Sequence, residues 1–255
     1  MMEPQRDVHL AVWKEIVGQV VSGRVRWGME EGIGDGEAEC LRQGGFLAAG
    51  EWVKENRQRL VFRVPGPGGG MFGKINFYQG WRDYLKGKFR NKAREEIQAT
   101  RAFRGEGLPV VEPLAWCRGA GFDMLFTRTF AGSADLTDVV REQGGAAVFR
   151  ELCELAKLLL EHGVSWSDFH IRNVLAKPRG EGWELRLVDV YGAKLGARLS
   201  RAARQRMVAR FFASLGVDGG EELFGRIERH LGAAGIPETE IRALLAGREG
   251  GEPSR

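Results

Sequence analysis

Three polar side chains stand out in the segment Ser165-Trp-Ser-Asp-Phe-His-Ile-Arg-Asn-Val and its continuation to Gly196. Asp168 and Asn173 fall in the spacing D-x-x-x-x-N, and Asp189 closes the apolar run Leu185-Arg-Leu-Val188. Phosphoryl transfer from ATP needs a carboxylate beside the attacking hydroxyl, oxygen ligands for Mg²⁺ and a cation on the nucleotide phosphates. Asp168 supplies such a carboxylate, and Asn173 and Asp189 supply hard oxygen ligands from the ends of two short strands. The plainer alternative is that Asp168 and Asn173 cap turns and that Asp189 only ends a strand.

The cation is sought in a strand. Lys74 lies in Met71-Phe-Gly-Lys-Ile-Asn-Phe77, flanked on both sides by apolar residues. Burying an unpaired lysine there is costly, so Lys74 either faces solvent or meets a carboxylate. Glu95 and Glu96 compete for that place on the helix that follows. At about 100° per residue, Glu96 lies about 20° from Phe103 and sits between the bulky apolar positions of the helix. Glu95 lies at the edge of that face. Glu96 is therefore the better inward partner, with an exposed glutamate supported by a nearby base as the alternative.

These residues need elements to hold them. Arg59–Val64 and Met71–Tyr78 are β-prone runs around Pro65-Gly-Pro-Gly-Gly-Gly70 and predict a hairpin. A helix is expected over about 84–105, stopped by Gly105 and Gly107, with strands at 114–117 and 122–128. Residues 30–50 are rich in Gly, Glu and Ala and predict loops with at most a short strand. Residues 146–161 carry Val148, Phe149, Leu152, Leu155 and Leu159 at helical spacing and end at His162-Gly163. Two short strands then flank Lys177-Pro-Arg-Gly-Glu-Gly182, and helices are expected over 197–215, 220–233 and 237–247. The order predicts an α+β protein of two lobes with a crevice between them: a β-rich lobe over 1–130 and a mostly helical lobe over 131–255.

Composition sets outer bounds. The chain has 255 residues, 43% hydrophobic and 28% charged, enough to build a core. A formal charge of +4 and a pI near 9.1 favour anionic partners without implying nucleic acid. Cys40, Cys117 and Cys153 are dispersed and form no CxxC pair, which predicts reduced thiols in a cytoplasmic protein. No signal-peptide core is visible at the N-terminus and no run is long enough to span a bilayer, so any membrane association is expected to be peripheral.

The segment 165–192 resembles the catalytic and metal-binding loops of the protein-kinase-like superfamily: Asp168 and Asn173 match H-R-D-x-x-x-x-N, and Asp189 matches the Asp of D-F-G, here Asp-Val-Tyr-Gly. The stretch Lys92-Ala-Arg-Glu-Glu through Gly107-Leu-Pro-Val-Val-Glu-Pro-Leu-Ala-Trp116 is similar to the bacterial lipopolysaccharide core kinases, which phosphorylate heptose or Kdo sugars. The resemblance covers roughly 60–196. It implies a two-lobed protein-kinase-like fold, ATP and Mg²⁺ as cofactors and a lipid-linked sugar hydroxyl as acceptor. By position it implies Lys74 on the nucleotide phosphates, Glu96 orienting Lys74, Asp168 as catalytic carboxylate, and Asn173 and Asp189 on Mg²⁺.

Two departures fall on packing positions: Trp166 replaces the usual histidine, and Val190-Tyr191 replaces Phe-Gly. No G-x-G-x-x-G is present; a phosphate-covering loop is expected one hairpin before Pro65–Gly70, near Gly44-Gly45-Phe46 or Gly50. Basic residues gather over 82–94 (Arg82, Lys86, Lys88, Arg90, Lys92, Arg94) and over 197–210 (Arg198, Arg201, Arg204, Arg206, Arg210). They suit phosphorylated sugars or the anionic inner face of a membrane, or form a solvated face. Rival readings are a phosphotransferase for another small molecule or a protein, and a non-catalytic nucleotide-binding pseudokinase.

Overall fold

The computed structural model describes residues 13–46, 50–56, 58–66, 69–78 and 91–196, with 200, 203, 207 and 211. Contacts divide the chain into two compact units. Unit 1 holds the described residues up to Arg101 together with Val111–Ala131; unit 2 holds Ala102–Val110 and the described residues from Gly132 onward.

Unit 1 is built on a sheet of six strands: β1 (Arg26–Met29), β2 (Glu51–Asn56), β3 (Arg59–Val64), β4 (Met71–Phe77), β5 (Pro113–Gly119) and β6 (Phe122–Arg128). Their order is β1-β5-β6-β4-β3-β2, and every neighbouring pair is antiparallel. Side chains alternate between the two faces of such a sheet. One face presents Leu60, Phe62, Val64, Met71, Ile75, Cys117, Met124 and Phe126 to a common core. Covering that face are Ile16 and Val20 from helix α1 (residues 13–21), Leu41 from α2 (Asp35–Arg42), and Phe46. Phe46 and Phe62 stack at 5.8 Å, and Phe126 meets Phe46 edge-on at 5.0 Å. The opposite face carries Leu125 and Trp116, which pack with Ala93 and Ile97 of α3 (Lys92–Gly105).

Several expectations change here. Residues 30–50 are not loops throughout: α2 forms there, Gly44 turns the chain after it with φ +73°, and Phe46 is core. Neither Gly44–Phe46 nor Gly50 therefore forms the tip of a hairpin. The hairpin that precedes Pro65–Gly70 is β2–β3, which closes between Asn56 and Arg59 with no glycine in its link. The β4 run ends at Phe77, and α3 begins at Lys92; the first part of the expected helix, 84–90, lies outside the described residues.

Unit 2 contains α4 (Leu136–Gln143), a 3₁₀ turn (Gly145–Val148), α5 (Phe149–Glu161), and a sheet of β7 (Ala134–Asp135), β8 (Val174–Arg179) and β9 (Gly182–Leu187). The periodic residues of α5 are buried, from Phe149 through Leu152, Leu155 and Ala156 to Leu159. Asp135 caps α4 by accepting from the Thr137 N–H at 2.8 Å, which satisfies a donor left free at the helix start. Of the helices expected after Gly196, residues 203, 207 and 211 are helical; the stretches 220–233 and 237–247 lie outside the described residues. Cys40, Cys117 and Cys153 are free thiols. Burial, then the Asp123 charge, push the Cys117 thiol well above its ordinary range, so it packs as an unreactive apolar group.

Candidate active site

In unit 1, β4 delivers Lys74 to the face covered by α3. Lys74 Nζ donates to Glu96 Oε1 at 2.7 Å and to Oε2 at 2.5 Å. The Glu96 side chain keeps only 4% of its exposure and that of Lys74 keeps 13%. Of the two candidate glutamates, Glu96 is the buried one, because it shares a helical face with Ala93 and Ile97. A charge pair this dry holds together because each partner would otherwise be left buried and uncompensated. Thr100 Oγ1 donates to the Glu96 carbonyl at 2.8 Å, within the same helix.

In unit 2, Asp168 and Asn173 occupy one tight loop. Asn173 Nδ2 donates to the Asp168 carbonyl at 2.9 Å, which leaves the amide oxygen as an acceptor. The Asn173 backbone carbonyl accepts from the Val188 N–H at 2.9 Å, so the strand end bearing Asp189 is fastened to that loop. Asp189 has φ +56°, and it is the non-glycine residue with positive φ among the described residues. Aspartate tolerates that left-handed backbone better than most residues, and such strain concentrates at functional positions. Asp168 projects outward, with 66% of its side chain exposed.

Trp166 is buried. It stacks on Phe169 at 5.4 Å, and Phe169 stacks on Phe211 at 4.0 Å with rings nearly parallel. The loop carrying Asp168 thus hangs on an aromatic column. His170 escaped the reading of the sequence: its Nε2 lies 3.4 Å from Asp168 Oδ1. The only signal was its place two residues after Asp168.

The sequence matches the lipopolysaccharide kinase (Kdo/WaaP) family over residues 49–220. The chain belongs to that family. A Kdo/WaaP family member is a phosphotransferase acting on a sugar hydroxyl in lipopolysaccharide core biosynthesis, and its family implies ATP as donor. The structure is similar to that of WaaP in complex with acyl carrier protein, with a TM-score of 0.59 and 22% identity over 87% of this chain and 95% of that one. It is also similar to the bifunctional kinase-methyltransferase WbdD, with a TM-score of 0.50 and 15% identity over 89% of this chain and 48% of that one. A complex of WbdD with a kinase inhibitor gives a TM-score of 0.51 and 15% identity, over 76% and 43% of the two chains. These likenesses establish the protein-kinase-like fold of this Kdo/WaaP family chain. No curated protein sequence matches it.

The donor set suits Mg²⁺. Among the described residues no three His, Cys, Asp or Glu side chains gather into a metal cage. Mg²⁺ does not require one, since it is commonly held by one or two protein oxygens together with phosphates and water. Asn173 Oδ1 and the Asp189 carboxylate are oxygens of that kind, and the backbone bond from Val188 to Asn173 fastens the residue before Asp189 to Asn173.

Proposed function

We propose that the chain phosphorylates a heptose or Kdo hydroxyl of the lipopolysaccharide core, with Asp168 as catalytic carboxylate. The observation that carries the assignment is the double tie of Asn173. Its amide holds the Asp168 loop and its carbonyl holds the strand end before Asp189. Bound MgATP supplies the phosphoryl group, with Mg²⁺ offsetting its charge. Asn173 and Asp189 hold the metal, Lys74 binds nucleotide phosphate oxygens, and Glu96 orients the ammonium. Asp168 directs the acceptor hydroxyl and takes its proton late in the transfer.

The acceptor is lipid-linked, so the enzyme works in the cytoplasm against the inner face of the inner membrane. The basic residues over 82–94 and 197–210 suit that anionic surface; most of them fall outside the described residues. Among the described residues no helix is long and apolar enough to cross a membrane.

The test is transfer of labelled phosphate from Mg²⁺-ATP to extracted lipopolysaccharide core. Asp168→Ala is expected to lower transfer by roughly 10²–10⁴-fold while retaining ATP binding. Transfer at the parent rate would remove Asp168 from the chemistry, and transfer to no core sugar would remove the acceptor.

A further inference from the structure

Asp123 sits inside β6, fully buried, in the apolar run Phe122-Asp-Met-Leu-Phe126. A carboxylate taken out of water needs donors on its oxygens. Asp123 Oδ1 accepts from Asn76 Nδ2 at 2.7 Å. Oδ2 accepts from the backbone N–H of Lys92 at 3.0 Å and from the Tyr78 hydroxyl. Asn76 belongs to β4 and Tyr78 follows it directly, whereas Lys92 opens α3. One side chain therefore ties the strand that bears Lys74 to the helix that bears Glu96.

The spacing on the two elements matches. Asn76 lies directly across from Asp123, and Lys74 directly across from Leu125. Asn76 and Lys74 are two positions apart on the strand, roughly 6.8 Å at about 3.4 Å per residue. Lys92 and Glu96 stand one helical turn apart, roughly 6 Å at about 1.5 Å per residue. Strand and helix are thus joined by two rungs at similar steps, the first through Asp123 and the second between Lys74 and Glu96. Leu125 fills the space beside them, against Ala93 and Ile97.

We infer that Asp123 is a positioning residue for phosphoryl transfer: by pinning the start of α3 to β4, it sets the register in which Glu96 meets Lys74. It acts through Lys74, so the inference rests on the reading of Lys74 as the cation on the nucleotide.

Titration of a non-hydrolysable ATP analogue with Mg²⁺ into the parent chain, Lys74→Met, Asp123→Asn and the double variant tests it. Each single change is expected to weaken binding about tenfold, as for loss of a hydrogen bond to a charged group. The double variant is expected to bind no more weakly than Lys74→Met alone, since Asp123 then has nothing left to position. Losses that multiply in the double variant, or parent-like binding by Asp123→Asn, overturn the inference. Parent-like binding by Lys74→Met instead overturns the reading of Lys74, and this inference with it. Should Asp123→Asn not fold, Tyr78→Phe removes one donor and leaves the bonds from Asn76 and Lys92. Its smaller loss is expected to vanish in the Lys74→Met background, and a loss that persists there overturns the inference.

Discussion

Trp166, which stands where the resembled motif carries a histidine, is a packing residue in this structure. Its ring is buried against Phe169, and its indole N–H has no hydrogen-bond partner among the described residues. The contribution of Trp166 is therefore area and shape, which a smaller aromatic ring can largely supply. Trp166→Phe is expected to cost less than about 1.5 kcal/mol, close to a conservative core exchange. Trp166→Ala is expected to cost about 3–5 kcal/mol, because it opens a cavity under the Asp168 loop. Denaturant midpoints of the two variants check this; equal losses would mean that the indole N–H, not the packing, matters.

At the scale of elements, the ring of Phe62 on β3 lies over Gly73, its directly opposite residue on β4, so that no side chain fits there. A Cβ there would lie 2.1 Å from Phe62 Cζ, and Phe62 is itself locked between Phe46 and Phe126. Neither ring can give way without displacing the other. Gly73→Ala is expected to lower stability by roughly 1–3 kcal/mol through overpacking; an unchanged urea midpoint would show that the sheet relaxes freely. The same alternation made β4, β5 and β6 readable as strands. It did not reveal α2, where only Ala38 and Leu41 are buried in a polar, glycine-containing segment. Nor did it reveal β1, whose pairing with β5 joins residues distant in sequence.

At the scale of the whole molecule, stability should depend on pH through a cluster that ties α2 to the sheet. Arg128, the last residue of β6, donates to Glu37 Oε1 at 2.7 Å and Oε2 at 3.2 Å, and to Glu112 Oε2 at 2.8 Å. The hydrogen bond from Arg128 holds the Glu37 carboxyl below its ordinary range, against the opposing effect of burial. A folded-state pKa lower than the unfolded one means stabilisation that is complete above the unfolded value and is lost as pH falls through the folded one. Melting temperature is therefore expected to fall as pH drops below about 4.3, the ordinary glutamate value. Glu37→Gln is expected to flatten that part of the profile and to cost about 1–2 kcal/mol at neutral pH. A profile identical in slope to that of the parent would exclude Glu37 as its source.

The sequence alone determined the elements with strong periodicity, the presence of a D-x-x-x-x-N loop followed by a strand-ending Asp189, and the helical phase that favours Glu96 over Glu95. Each depends on residues close together in the chain, where the repeat of a helix or strand dictates which side faces inward. Tertiary structure alone decided that Lys74 and Glu96 meet at bonding distance, that Asn173 fastens Val188 beside Asp168, and that Asp189 takes a left-handed backbone. It also gave Asp123 its partners. A lone acid within an apolar strand announces that donors must exist, because burial without them is too costly. Which donors they are depends on strand register and on where a helix begins, and those are set by pairing and packing between segments far apart in the chain.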